Sequence, residues 1–124
     1  MNPHSIQRLG GPDSPPEVYT LPAEKLLAGN PKQSLWQQYT DASGCFFAGL
    51  WRSEVGKWHI AYTEEEVCVM LEGVSIITDE EGVAVTVVAG DRFVIPRGFT
   101  GTWEVVQPST KTYVIYEPAS ESKD

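Results

Sequence analysis

The sequence has 124 residues, 41% of them hydrophobic, and its 9 basic and 17 acidic side chains give a net charge of −8. A chain of this length buries enough surface for one ordinary core, so we expect a single domain, and its acidity disfavours nucleic acid and anionic membranes as partners. Because no apolar run reaches the roughly 18 residues of a membrane span and residues 1–11 lack the apolar stretch of a secretory signal, the sequence predicts a cytoplasmic protein.

Residues 1–33 are predicted to form a proline-rich arm. Prolines recur up to Pro22, and proline removes the backbone donors that a helix or a central strand needs. Beyond Pro22, the run from Ala23 to Leu27 with Gly29 as a stop predicts one short helical turn.

Residues 34–117 are predicted to form one β domain. Short runs rich in Val, Ile, Trp, Tyr and Phe alternate there with glycine, proline and acidic turns. The predicted strands are 34–40, 45–52, 58–62, 67–71, 74–78, 83–88, 92–95, 102–106 and 112–116. The segment from Asp79 to Gly82 predicts a hairpin turn. Many short strands indicate a sandwich, jelly roll or barrel, and residues 118–124 are predicted to form a flexible tail.

Two spacings exceed what strand periodicity requires: Glu66-x6-Gly73 after Gly56, and Gly90-x5-Pro96-x-Gly98. With these two spacings, residues 45–117 resemble the cupins. Finer features resemble one subfamily, that of the ureidoglycine aminohydrolase-like domains and the ethanolamine-utilisation protein Q; they are Gly56-Lys57-Trp58, Tyr62, Glu66-Val67-Cys68 and residues 99–105. The resemblance implies an all-β, RmlC-like cupin jelly-roll barrel, a double-stranded β-helix. Glycine and proline at these positions also have a local reason, since they end strands and allow chain reversal.

The resemblance also implies a place for a metal, which metal-dependent cupins hold with three histidines and a glutamate. Counting back from Glu66 puts either Ile60 and Tyr62 or His59 and Ala61 at the first two histidine positions, so neither count gives His-x-His, and Gly101 stands where the third histidine belongs. Of the four ligands only Glu66 is kept. One carboxylate with at most one imidazole is too few groups for a tight transition-metal site. We therefore expect no cofactor, and a weak divalent ion held by Glu66 and His59 with waters stays open as an alternative.

Strand parity predicts which side chains face the barrel interior. If Glu66 points inward, Cys68 and Met70 do so as well, and Trp103 shares a face with Gly101 that the resemblance implies is interior. A carboxylate in an aromatic interior favours its protonated form unless a cation or donor compensates, which would suit a general acid or base. Glu66 and Tyr62 are thus the candidate catalytic residues; a purely structural hydrogen bond between them is the alternative.

Five further residues complete the predicted site. Trp103, Cys68 and Met70 are predicted to line a ligand cavity, and Arg97 to reach a ligand's carboxylate or phosphate at the barrel mouth, although surface pairing is an alternative for Arg97. Burial beside a carboxylate is expected to raise the pKa of Cys68, which makes a thiolate nucleophile unfavourable. His59 has the parity of an outward-facing residue.

These features support two main hypotheses. In the first, the chain binds a small polar metabolite, and the resemblance implies substrates of the ureide or ethanolamine kind if it is an enzyme. In the second, the barrel is a non-catalytic scaffold, and the arm packs on a partner subunit. We expect a homodimer in either case.

Overall fold

The computed structural model describes residues 4–118, almost all of them in or between β-strands. The strands are β1 (Glu17–Tyr19), β2 (Leu26–Ala28), β3 (Gln33–Thr40), β4 (Phe46–Ser53), β5 (Gly56–Ala61), β6 (Glu65–Asp79), β7 (Ala84–Val88), β8 (Arg92–Ile95) and β9 (Thr100–Tyr116). Within residues 4–118 no helix has the length and apolarity of a membrane span. The predicted tail extends beyond these residues, so what was predicted for 119–124 lies outside the described part.

Two long strands, β6 and β9, form the spine of the sheet. They pair antiparallel along most of their length, from the Glu65 and Tyr116 pair to the Asp79 and Gly101 pair. On its other edge β9 pairs with β4 and β5, while the other edge of β6 pairs with β7 and β8. The two halves of each long strand therefore pair with different neighbouring strands, so residues at its two ends have different surroundings.

The spine corrects two of the predicted strand boundaries. The predicted pair 67–71 and 74–78 is one strand, β6, with a bulge at Gly73, and the pair 102–106 and 112–116 is one strand, β9. Pro108 lies between the segments of β9 that pair with β5 and with β4, where no backbone donor is needed. Gly73 has φ +87°, and a Cβ there would clash with the Pro108 carbonyl oxygen, so the bulge requires glycine.

The other predicted β elements are confirmed. Strands β3, β4, β5, β7 and β8 begin and end within two residues of their predicted bounds. The hairpin turn after β6 is also present, with Gly82 at φ +88° and the Asp79 carboxylate accepting hydrogen bonds from the backbone N–H groups of Glu81 and Val83. The structure thus has the all-β architecture that the sequence predicts.

The proline-rich arm packs on its own barrel. Its strand β1 pairs with β3 and its strand β2 pairs with β5, so the two strands lie at opposite edges of the sheet path. Between them a 3-10 turn occupies Ala23–Lys25 at the place of the predicted helical turn. The Trp36 indole donates to the backbone oxygen of Ser14 at 2.7 Å, which fixes the proline-rich segment further. The arm thereby supplies part of the wall around the barrel interior.

The hydrophobic core fills the concave side of the curled sheet. Its buried members are Trp51, Trp58, Cys68, Met70, Ile77, Val87, Ile95, Trp103, Val105 and Tyr113. Along β6 the side chains of Glu66, Cys68 and Met70 are buried while Val67 is exposed, so the predicted inward parity is confirmed. Trp103 is likewise buried on β9.

Candidate functional site

A cavity of about 280 Å³ opens at one end of the barrel. Strands β1, β3, β4, β5, β6 and β9 and the turn after β5 all contribute to its wall. The lining residues are Tyr19, Gln33, Leu35, Gln37, Trp51, Trp58, Ile60, Tyr62, Glu66, Trp103, Lys111, Tyr113 and Ile115. Taking about 30 Å³ for each water in the liquid, this volume holds about nine waters or a ligand of about ten non-hydrogen atoms.

The cavity contains a buried ion pair. The Lys111 ammonium nitrogen lies 2.8 Å from the Glu66 carboxylate, and both side chains are only 5% exposed. Register places them on neighbouring strands, because Glu66 pairs with Ile115 and Met70 pairs with Lys111. Lys111 also donates to the Cys68 sulfur at 3.5 Å. The ammonium group is thus held from the core side by an anion and a thiol.

Two indole rings surround the same ammonium group. Lys111 Nζ lies 4.3 Å from the Trp103 ring centroid and 4.8 Å from that of Trp51. The rings themselves pack edge to face, 5.5 Å apart. A cation over aromatic faces is stabilised by the negative potential of the rings, and the effect is strongest out of water. The electron-rich faces of Trp51 and Trp103 are therefore already occupied by a cation that belongs to the protein.

The protonation states follow from these contacts. Burial has the largest single influence and by itself lowers the pKa of Lys111, but the charge on Glu66 and the smaller contributions of Tyr62 and Cys68 together outweigh it, so the pKa is raised. Burial raises the pKa of Tyr62 well above its ordinary value, and the charge on Glu66 adds to the effect against the opposing Lys111. Near neutral pH the site therefore holds an ammonium cation and a neutral phenol beside Glu66.

The Glu66 carboxylate has a compensating cation, the Lys111 ammonium group. A carboxylate in contact with an ammonium group is stabilised in its charged form. Glu66 therefore contributes a polar group, paired with Lys111, to the cavity wall.

Tyr62 is positioned by the second glycine and proline motif. Its backbone oxygen accepts from Gly98 N–H at 2.7 Å, and its backbone N–H donates to the Phe99 oxygen at 2.8 Å. The turn after β8 thus holds Tyr62 against the barrel mouth. The motif whose spacing marks the fold therefore also fixes one wall of the cavity.

Gln33 is a polar residue of the cavity wall whose side-chain NH2 group has no acceptor among residues 4–118. Its side-chain oxygen accepts from the Trp51 indole N–H at 3.1 Å, while its amide nitrogen is buried and has no hydrogen-bond partner. The residue is only 3% exposed. The assignment of oxygen and nitrogen is fixed, because an indole N–H only donates and must face the amide oxygen.

The predicted site residues fall into three groups, those that line the cavity, those buried behind it and those that lie outside it. Glu66, Tyr62 and Trp103 line the cavity together, as predicted. Cys68 and Met70 are buried in the core behind it rather than in its lining, and burial raises the pKa of Cys68 to about 12, in the predicted direction.

Arg97 and His59 both lie outside the cavity lining, which agrees with the outward parity predicted for His59 and leaves Arg97 away from the ligand position that was one of its two alternatives. Arg97 is exposed in the turn after β8 and does not line the cavity, because Pro96 ends the strand and directs the following residues outward. His59 alternates with Trp58 and Ile60 on β5, and these two face the cavity while His59 is exposed on the opposite side.

Lys111 and Gln33 were missed by the sequence analysis. Lys111 has the same parity on β9 as Trp103, so extending the predicted strand through Pro108 would have placed it inside the barrel. Gln33 was assigned to the arm, one residue before the predicted strand 34–40, although β3 begins with it. Both misses come from strand boundaries rather than from residue chemistry.

The residues present do not fit the metal centre of metal-dependent cupins. Within residues 4–118 no group of three or more His, Cys, Asp or Glu side chains is arranged to hold a metal ion. The carboxylate that would be its one family ligand, Glu66, is instead paired with the Lys111 ammonium. His59 lies on the outer face of β5 and does not line the cavity with Glu66.

Comparison with known proteins shows which family the chain resembles. The family model of the EutQ-like cupin domain matches residues 40–113. A solved protein of unknown function of the DUF861 family from Pseudomonas syringae is similar at a TM-score of 0.74 and 16% identity, over 93% of this chain and 46% of that chain. The present chain therefore spans less than half the length of that protein.

Two other solved structures are also similar. The EutQ protein of Clostridium difficile aligns at a TM-score of 0.64 and 18% identity, over 76% of this chain and 69% of that chain. A DUF861 family protein from Thermotoga maritima aligns at a TM-score of 0.51 and 33% identity, over 52% of this chain and 73% of that chain. Among curated proteins, none matches this chain.

Proposed function

The chain belongs to the family of EutQ-like cupin domains, and from this premise we propose that it binds a small polar metabolite inside its barrel without the histidine ligands of metal-dependent cupins. The observation that carries the proposal is the buried Glu66/Lys111 ion pair in the wall of an open cavity. The ureide or ethanolamine chemistry implied by the resemblance stays a hypothesis about which metabolite is bound.

Stability gives a poor reason for such a pair. Removing two charges from water costs several kcal/mol per ion, and replacing a buried pair with apolar residues of similar volume is often neutral or stabilising. The pair also lines the cavity, where a ligand would meet it. A role in recognising or reacting with a bound molecule accounts for both facts.

The cavity walls supply the rest of a binding site. They combine apolar and aromatic surface, from Trp58, Ile60 and Tyr113 among others, with a few convergent polar groups. Small-molecule sites typically have this composition, in which the apolar surface contributes affinity and the polar groups set orientation. Lys111 can act on a ligand as a cation but not as a Schiff-base nucleophile, because its raised pKa keeps the amine protonated near neutral pH.

A screen with a cavity-blocking variant tests the proposal. The wild-type protein is screened by thermal shift against uncharged, anionic and cationic metabolites of up to about twelve non-hydrogen atoms, and hits are measured by calorimetry. Leu35→Trp fills the cavity, since Leu35 lines it, whereas Leu27→Trp makes the same change at an exposed position outside it. We expect hits that Leu35→Trp loses and Leu27→Trp keeps.

Two results would contradict the proposal. One is a screen without any ligand for the wild-type protein. The other is a set of hits that bind Leu35→Trp as tightly as wild type, which would place their site elsewhere. Metal analysis of untagged protein adds an independent check, and a stoichiometric transition metal would overturn the metal-independent part.

A further inference from the structure

We propose that the cavity selects an uncharged, flat molecule carrying an amide-type carbonyl, whose oxygen accepts a hydrogen bond from the side-chain nitrogen of Gln33. This inference rests on the proposed binding function and goes beyond it by naming the class of ligand. Its basis is the combination of an unpaired buried donor, a charge-balanced interior and aromatic walls.

The unpaired donor is the first line of argument. The Gln33 amide is held by Trp51 through its oxygen, so its nitrogen keeps an N–H pair for another acceptor. Buried donors without a partner are rare in folded proteins, and each one needs an explanation. Because Gln33 lines the cavity, a ligand acceptor is the simplest partner that would satisfy it.

Charge balance is the second line. Among the cavity-lining residues, Glu66 and Lys111 are the charged side chains, and they neutralise each other at 2.8 Å. Burial keeps the three lining tyrosines in their neutral form, since it raises the pKa values of Tyr19, Tyr62 and Tyr113. A charged ligand would therefore enter the cavity without a free counter-ion, at a large desolvation cost.

The aromatic walls are the third line. A cationic ligand would compete with Lys111 for the faces of Trp51 and Trp103, which the ammonium already covers. An anionic ligand would approach a chain with a net charge of −8. The remaining aromatic surface, from Trp58 and the tyrosines, suits a flat uncharged body.

A matched set of probes tests the class directly. Benzamide, benzoate and benzylamine share a ring and differ in charge, and a panel of other planar amides and lactams of about eight to twelve non-hydrogen atoms extends the series. Affinities are measured by calorimetry at neutral pH. We expect the amides to bind, with benzamide at least about 10-fold tighter than either charged analogue.

Two substitutions at one strand sharpen the test. Gln33→Glu keeps an acceptor for Trp51 but removes the free donor and adds a negative charge. Gln38→Glu adds the same charge on the same strand outside the cavity lining and removes donors of its own, those to the Gly10 and Gly11 backbone oxygens. We expect Gln33→Glu to weaken benzamide about 10-fold or more and to shift the preference toward benzylamine. The Gln38→Glu variant keeps the wild-type order.

The outcomes separate this inference from the function beneath it. If charged compounds bind in the cavity more tightly than every amide, the ligand class is wrong while the binding function stands. If amides bind but Gln33→Glu leaves their affinity unchanged, the donor assigned to Gln33 is wrong. If no compound of any charge binds, both proposals fail.

Discussion

Two buried polar clusters lie on the inner face of the same two strands, β6 and β9, yet they differ in charge and in surroundings. In one of them, Glu66 and Lys111 form an ion pair in the wall of the cavity. Two residues from Lys111 along β9, the hydroxyl of Ser109 lies 2.8 Å from that of Ser75 on β6, and neither residue lines that cavity.

The serine cluster is satisfied without a ligand. Ser109 donates to the Gln107 backbone oxygen, so Ser75 is the donor between the two serines, and Ser75 in turn accepts from the Trp103 indole at 3.1 Å. Its hydrogen bonds run in one direction and end on the backbone, which orients Trp103. The contrast teaches that a neutral, closed cluster serves the fold, whereas a charged cluster facing open space is suited to act on a bound molecule.

The largest expected effect comes from removing one of the two charged residues of the ion pair. Lys111→Met removes the cation and leaves Glu66 buried without its partner, so we expect the free energy of unfolding to fall by about 3–5 kcal/mol. Urea unfolding followed by tryptophan fluorescence measures the change. A loss below about 1 kcal/mol would mean that solvent already compensates Glu66, and the pair could not be called buried.

A smaller effect is expected from the neutral cluster. Ser109→Ala leaves the Ser75 hydroxyl without its acceptor, at a cost of about 1–3 kcal/mol. Because neither serine lines the cavity, a ligand found by the screen should still bind this variant. If Ser109→Ala destabilised the protein as much as Lys111→Met, the energetic distinction between the two clusters would be wrong.

Alkaline pH gives the smallest and most graded effect. The pKa of Cys68 rises from 9.0 to about 12 on folding, so the unfolded chain loses this proton first. The contribution of Cys68 to the free energy of unfolding is fully present below pH 9 and is lost as pH rises toward 12. At pH 10 the loss amounts to about 1 kcal/mol. Lys111 and Tyr62, whose pKa values are also raised, act in the same direction at higher pH.

The pH effect has a matched control. Cys68→Ser removes the thiol, so the difference in urea midpoint between pH 7 and pH 10 should be smaller than in wild type. An equal pH dependence in both proteins would show that other groups carry it.

The fold and half of the site follow from the sequence for identifiable reasons. Alternation along β6 placed Glu66 inward, and the Gly98 turn implied where the chain returns to the barrel mouth. Lys111 lies one residue before the predicted strand 112–116, whereas β9 runs through Pro108, whose position between two partner strands makes its missing donor harmless. Contacts across the barrel decide such cases, and a single sequence does not display them.

Arg97 shows the converse limit. Its charge and its place next to the Pro96 and Gly98 motif suggested ligand contact, but the direction of a turn side chain depends on tertiary packing. The place of Gln33 in the site is not predicted for a simpler reason, because the predicted barrel begins at residue 34 and β3 begins at Gln33. Residue chemistry alone therefore identified plausible groups, while strand boundaries determined which of them meet.

The double variant Glu66→Gln/Lys111→Met tests the central claim most directly. It replaces both charges with uncharged side chains of similar size, so it removes the ion pair without leaving a lone buried charge. We predict a free energy of unfolding within about 1 kcal/mol of wild type together with loss of binding for a ligand found by the screen. A variant that unfolds, or one that binds the ligand as tightly as wild type, would contradict the account.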